Sequence, residues 1–146
     1  MFVGEYSHNI DSKGRIIMPA KFREQLGEQF MITKGLENCL FVYPMAVWEE
    51  LAQKLGELPS SQKNARFLQR IFISGAADAE PDKQGKVLIT SSHREHAGLS
   101  KEVTIIGVGT RVEIWDTEKW RDYIGSQDEE EMSLEEAAES LEGFSF

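Results

Sequence analysis

One pattern occurs twice in this chain, and it limits the possible folds more than any other feature. Asp11-Ser12-Lys13-Gly14-Arg15-Ile16-Ile17-Met18 reads Asp, two polar residues, Gly, a base and three aliphatics. Asp82-Lys83-Gln84-Gly85-Lys86-Val87-Leu88-Ile89 reads the same way. The register holds beyond the motif: Arg23-Glu24 aligns with Arg94-Glu95, Gly27 with Gly98, Gly35 with Gly107 and Trp48 with Trp120, with one residue inserted after Gly98. A spacing of roughly 71 residues exceeds the 20–50 of a solenoid unit. It indicates a duplicated half-domain with pseudo-two-fold symmetry.

Each copy reads as strand, turn, strand, helix, then two more strands and a second helix. In the first copy the strands are expected at 4–10, 15–18, 30–33 and 39–43. Asp11 favours a turn because its carboxylate can accept backbone N–H groups two residues on, and Gly14 tolerates the positive φ of a tight reversal. Pro19 opens a short helix over 20–26 closed by Gly27, and Pro44 starts a second with Val47, Trp48, Leu51 and Leu55 on one face. The second copy repeats this, with strands near 76–80, 86–89, 102–107 and 111–115, a helix over 91–97, and another from Thr117 capped by Asp116. Between the copies, Leu58-Pro59-Ser60-Ser61 marks a stop and a new start. A helix over 61–73 follows, with Ala65, Leu68, Ile71 and Phe72 facing the core and Lys63, Arg66 and Arg70 facing solvent. No Gly/Ser-rich linker separates the copies, so they are expected to pack together.

The chain has 146 residues and a net charge of −9, which at first sight argues against a nucleic-acid partner. The charge is unevenly placed. Asp128, Glu129, Glu130, Glu131, Glu135, Glu136, Glu139 and Glu142 crowd the last stretch with no Lys or Arg, leaving 25 − 8 = 17 acids against 16 bases elsewhere. A near-neutral body can still carry a basic face, and the local patch is what DNA feels. The tail is expected to be a solvated helix or a partly disordered segment. No long apolar run marks a membrane span or a leader. The lone Cys39 has no disulfide partner, which suits a reducing, cytoplasmic setting and a buried small side chain.

The turns carry the chemistry. Lys13 and Arg15, then Lys21 and Arg23, oppose Asp11 and Glu24 for a local charge of about +2. A strand hairpin bearing Arg and Lys fits the major groove, where Arg grips guanine, while helical Lys and Arg hold phosphates. The plain alternative is a structural ion pair between Asp11 and Arg15.

The opening 1–15 with Pro19-Ala20-Lys21-Phe22-Arg23 resembles the MraZ family of bacterial transcriptional regulators. So do Cys39-Leu40-Phe41-Val42-Tyr43-Pro44 with Trp48, Arg70 to Ala76, Asp82 to Lys86, and Ile105 to Trp115. The likeness spans about residues 1–124. It implies an α+β, β-rich fold: two SpoVT/AbrB-like swapped-hairpin units forming a β-barrel-like core with flanking helices. The units would cover 5–47 and 76–119, with a helical connector at 48–75 and a C-terminal helix and acidic tail at 120–146. It further implies a ring-shaped homo-oligomer that associates with the nucleoid and binds double-stranded DNA at direct repeats upstream of its own division and cell-wall operon. The family's Asp-x-x-x-Arg element falls on Asp11 and Arg15, and again on Asp82 and Lys86. Lys86 departs from the pattern: a lysine lacks the planar fork for a bidentate guanine contact. Lys13, Arg15, Lys21, Arg23, Lys83 and Lys86 are thus the expected DNA contacts, and Asp11, Gly14, Asp82 and Gly85 the residues that shape the turns. The first turn is the better candidate for base reading, the second for phosphates or subunit contacts.

Other functions fit less well. His93 and His96 lack a third metal ligand and are expected at the surface or in a capping role. No nucleophile elbow, phosphate loop or dinucleotide fingerprint occurs, so neither an enzyme, a cofactor nor a small-molecule substrate is expected. An oligomeric scaffold or antitoxin-like interaction module would use the same fold, and salt dependence of DNA affinity separates the two.

Overall fold

A computed structural model describes residues 1–125 and 134–139. The first half comprises β1 (Glu5–Asn9), β2 (Arg15–Ile17), α1 (Ala20–Leu26), β3 (Phe30–Lys34), β4 (Leu40–Pro44) and α2 (Met45–Gly56). After α3 (Lys63–Ser74), the same order returns as β5 (Ala77–Ala79), β6 (Lys86–Leu88), α4 (Ser91–Ala97), β7 (Glu102–Gly107), β8 (Val112–Asp116) and α5 (Thr117–Gly125). A short α6 (Leu134–Glu139) carries part of the acidic run. Asp128, Glu129, Glu130, Glu131 and Glu142 lie outside the described residues.

The halves are interleaved rather than set side by side. One antiparallel sheet has the order β1-β7-β8-β4-β3-β5. β4 meets β8 at its centre, with Phe41 opposite Glu113, and each half lends its first strand to the other: β1 pairs with β7 and β5 with β3. The remaining strands, β2 and β6, form a separate two-stranded ribbon centred on Ile16 opposite Val87. Both pairings obey one pseudo-two-fold axis. The expected barrel-like core is corrected here. The six-stranded sheet stays open, with β1 and β5 as its edges, because β2 and β6 pair with each other and supply no strand to join those edges.

Strand alternation sorts the core into two layers. Phe30, Ile32, Leu40, Val42, Val103, Ile105, Val112 and Ile114 cluster with Ile16 and Val87 of the ribbon and with Phe22 of α1. Cys39, Phe41, Tyr43, Ile106 and Trp115 cluster instead with residues of α2, α3 and α5, including Trp48, Phe72 and Trp120. Each fully buried Phe, Leu or Ile contributes about 1.5–3 kcal/mol of transfer free energy. A buried acid lies on the helix-covered side: Glu113 accepts from Arg111 at 2.9 Å and from the Trp115 indole at 3.0 Å.

Two local expectations shift. Pro19 and Pro44 stand one residue before their helices, with extended ψ of 139° and 148°, so Ala20 and Met45 are the first helical residues. In α3 only Ala65 is buried, while Phe67 is 63% exposed and Leu68 and Ile73 are also open to solvent. The C-terminal turn of α3 is docked, where the Thr33 hydroxyl donates to the Phe72 carbonyl at 2.7 Å. Its apolar face is therefore only partly core.

Candidate nucleic-acid interface

The two repeated turns are built alike, bond for bond. The Asp11 carboxylate accepts the backbone N–H of Lys13 (2.9 Å) and Arg15 (2.8 Å), and Asp82 accepts those of Gln84 and Lys86 (2.9 Å each). Gly14 and Gly85 close the reversals at φ of 81° and 80°, a region that a side chain strains. These donors hold both carboxyls below their usual range: the Arg15 amide acts most on Asp11, and the Lys86 amide most on Asp82. Both turns thus carry fixed anions beneath their cations.

The turns flank opposite ends of a ribbon only three residue pairs long, so their side chains interact. Arg15 Nε donates to Asp11 at 2.9 Å, and its guanidinium approaches Asp82 at 3.6 Å. Lys86 Nζ lies 4.0 Å from Asp11. The plain ion-pair reading of Asp11 and Arg15 is therefore realised, and it extends to both turns. Lys13 and Lys83 stand exposed in the turns themselves. Counting Lys13, Arg15, Lys83 and Lys86 against Asp11 and Asp82 leaves 4 − 2 = +2 on these six residues.

Each turn is also gripped by the opposite half. Arg23 of α1 seats its guanidinium over Gly85, where a Cβ would fall 1.4 Å from its nitrogen; Arg94 of α4 does the same over Gly14, at 2.1 Å, and donates to the Ile89 carbonyl. Backbone bonds complete the lock, from Met18 N–H to Gly85 O (3.0 Å) and from Ile89 N–H to Gly14 O (2.9 Å).

The family model described as "MraZ protein, putative antitoxin-like" matches this chain twice, over 1–71 and 72–144. The chain belongs to the MraZ family. It is 54% identical over 144 residues to the protein named transcriptional regulator MraZ of Caldanaerobacter subterraneus subsp. tengcongensis, covering 99% of each chain. It is also 54% identical to the so-named proteins of Acetivibrio thermocellus (97% of this chain, 96% of that one) and Halothermothrix orenii (97% of each). The two MraZ matches correspond to the two halves of the fold. Transcriptional regulation is the role these names carry, and it is not an enzyme class.

Within this MraZ chain, the structure gathers Lys13, Arg15, Lys83 and Lys86 around the β2–β6 ribbon, while Lys21 is exposed on α1. Arg23, on α1 behind the turns, sits apart from these four. Its guanidinium lies close over Gly85, beside a depression lined by Glu24, Glu28 and Glu80. Arg94, overlooked in the sequence, is its symmetric counterpart. The signal was present, since both copies place an arginine eight residues after the turn's base.

The histidines also differ from expectation. His93 is buried, its Nε2 lying 2.6 Å from the Gly75 carbonyl, and His96 Nε2 lies 3.1 Å from the Gly35 carbonyl. Burial pushes the His93 imidazole below its ordinary pKa; the Gly75 hydrogen bond opposes this, and Lys34 and His96 add to it. Among the described residues, no group of three or more His, Cys, Asp or Glu is placed to hold a metal, and no helix is long and apolar enough to cross a membrane.

Proposed function

We propose that this chain is a transcriptional regulator that binds double-stranded DNA in a sequence-specific way through the β2–β6 ribbon and its two flanking turns. The observation that carries the reading is the pairing of β2 with β6. It joins two basic turns from separate halves into one two-stranded ribbon, the kind of element that the major groove admits. The exchange of β1 and β5 between halves supports reading each half as a swapped-hairpin unit of the SpoVT/AbrB kind, with units at 5–47 and 76–119.

In this mechanism Arg15 reads base edges, oriented by Asp11 in the way a carboxylate fixes a ligand's rotamer. Lys13, Lys83 and Lys86, with Lys21 behind them, hold phosphates and set register. One ribbon makes too few contacts for specific binding at physiological salt, since a good base contact supplies about 1–3 kcal/mol. A ring of copies on direct repeats upstream of its own operon multiplies that affinity through effective concentration, and places the protein at the nucleoid.

The test is a footprint on the DNA upstream of the gene, followed by anisotropy titrations at rising salt. Protected tandem repeats and a steep fall of affinity with salt are expected. Affinity that ignores salt, or no protection, would favour a scaffold or antitoxin-like module, in keeping with the family description.

A further inference from the structure

The outward face of the β2–β6 ribbon is not uniformly charged. Ile16 and Val87 point inward and are buried, so Arg15, Ile17, Lys86 and Leu88 point outward. Arg15 stands opposite Leu88, and Lys86 opposite Ile17. Cations and aliphatics therefore alternate across the face, two of each, related by the pseudo-two-fold axis. Ile17 is 39% exposed and Leu88 is 57% exposed. Isolated surface aliphatics are ordinary. Two at symmetric positions of the element that carries the basic turns are a pattern.

Charge decides what covers them. A second copy meeting this face about a two-fold axis would set Arg15 and Lys86 against their own equivalents. A DNA groove presents phosphates to the cations and, at each thymine, a methyl group on the major-groove floor. Apolar side chains read that methyl. Arg15, meanwhile, has its Nε occupied by Asp11, which narrows what its guanidinium can select alone.

We infer that Ile17 and Leu88 are specificity-determining residues that contact thymine 5-methyl groups in the major groove. The inference rests on the DNA-binding reading above and adds a chemical identity to two bases of the site. It also gives the two halves a shared reading function despite the unequal cations.

The experiment uses the full chain and duplexes covering the footprinted segment upstream of its gene. Each thymine is replaced in turn by deoxyuridine, which lacks only the methyl group. For the wild-type chain, affinity should fall on the order of fourfold at each contacted position, the transfer value of one buried carbon. Ile17→Ala should bind the parent duplex several-fold more weakly and lose the thymine–uracil difference at one set of positions. Leu88→Ala should lose it at another. If no deoxyuridine position affects the wild-type chain, or both variants keep the full difference, the inference is overturned and DNA binding stands. If either variant instead changes the oligomer mass while keeping that difference, the face is a subunit contact and the inference is also overturned. If the wild-type chain shows no selectivity for the upstream DNA, the functional reading itself falls. The deoxyuridine series needs no variant, so the test holds even if a substitution harms folding.

Discussion

The first and second turns share a backbone and the Asp and Gly that shape it, but end in different bases, Arg15 and Lys86. In the first, the arginine of Asp11-x-x-x-Arg15 bonds its own aspartate and reaches the other turn's aspartate. In the second, Lys86 reaches across toward Asp11, and the Asp82 carboxylate is held by its backbone donors and by Arg15. A guanidinium has several donors in a plane and can serve two acids at once, whereas an ammonium is a point charge. The backbone bonds of the motif are enough to make the turn. The choice of base decides which turn ties the pair together.

That asymmetry can be broken by removing the bases singly. Arg15→Ala should abolish specific binding while leaving the oligomer intact by light scattering: the direct contact is worth on the order of 5–150-fold, and its loss is multiplied across engaged copies. Normal affinity for the promoter repeats in that variant would sink the assignment of Arg15. Lys86→Ala should weaken binding less, and equally across operator variants, as loss of a phosphate contact does. Equal losses from the two substitutions would show that the halves contribute alike.

The shared backbone is tested by the glycines. Gly14→Ala and Gly85→Ala each force a side chain into positive φ and displace the arginine of the other half, so each should cost about 1–3 kcal/mol, read as a lower Tm. If one turn tolerates alanine, the bond-for-bond equivalence of the two is wrong for stability.

A smaller effect distinguishes the helices behind the turns. His93 in α4 occupies the repeat position of Phe22 in α1, and both are buried. Because the folded state holds the His93 imidazole neutral, the unfolded chain takes up its proton first as pH falls. The stability tied to neutral His93 is therefore complete well above pH 6.5 and drains away as pH drops from there toward the lowered folded value. Hydrogen exchange at pH 7 and pH 5 should show α4 losing protection before α1. The His93→Gln variant should remove most of that pH dependence, and an unchanged profile would exclude His93 as its source.

Much of this comparison was legible in the sequence. The repeat located both turns, and the Asp, Gly and base at fixed offsets dictated their form, because side-chain capping and positive φ are local chemistry. The helices and most strands followed from apolar spacing. What escaped was everything that depends on which strand meets which. The runs over β1 and β2 read as a hairpin, yet β1 pairs with β7 and β2 with β6, pairings between the copies that local sequence does not encode. The open sheet and the seating of Arg23 and Arg94 on opposite turns likewise depend on contacts between the copies. Arg23 looked like a surface base because the turn it packs over, at Gly85, lies in the other copy.

Because β1 completes the sheet beside β7, and β5 beside β3, neither half owns a whole fold. A polypeptide that stopped after α3 would have β1 without a neighbour and β3 without its outer partner, and only a second such polypeptide could supply both. The two repeat units are thus arranged as an interleaved pair, held within one polypeptide. Fusion turns a concentration-dependent encounter into an internal one. It also frees the two units from inheriting each other's substitutions, and the Arg15 and Lys86 pair records that freedom.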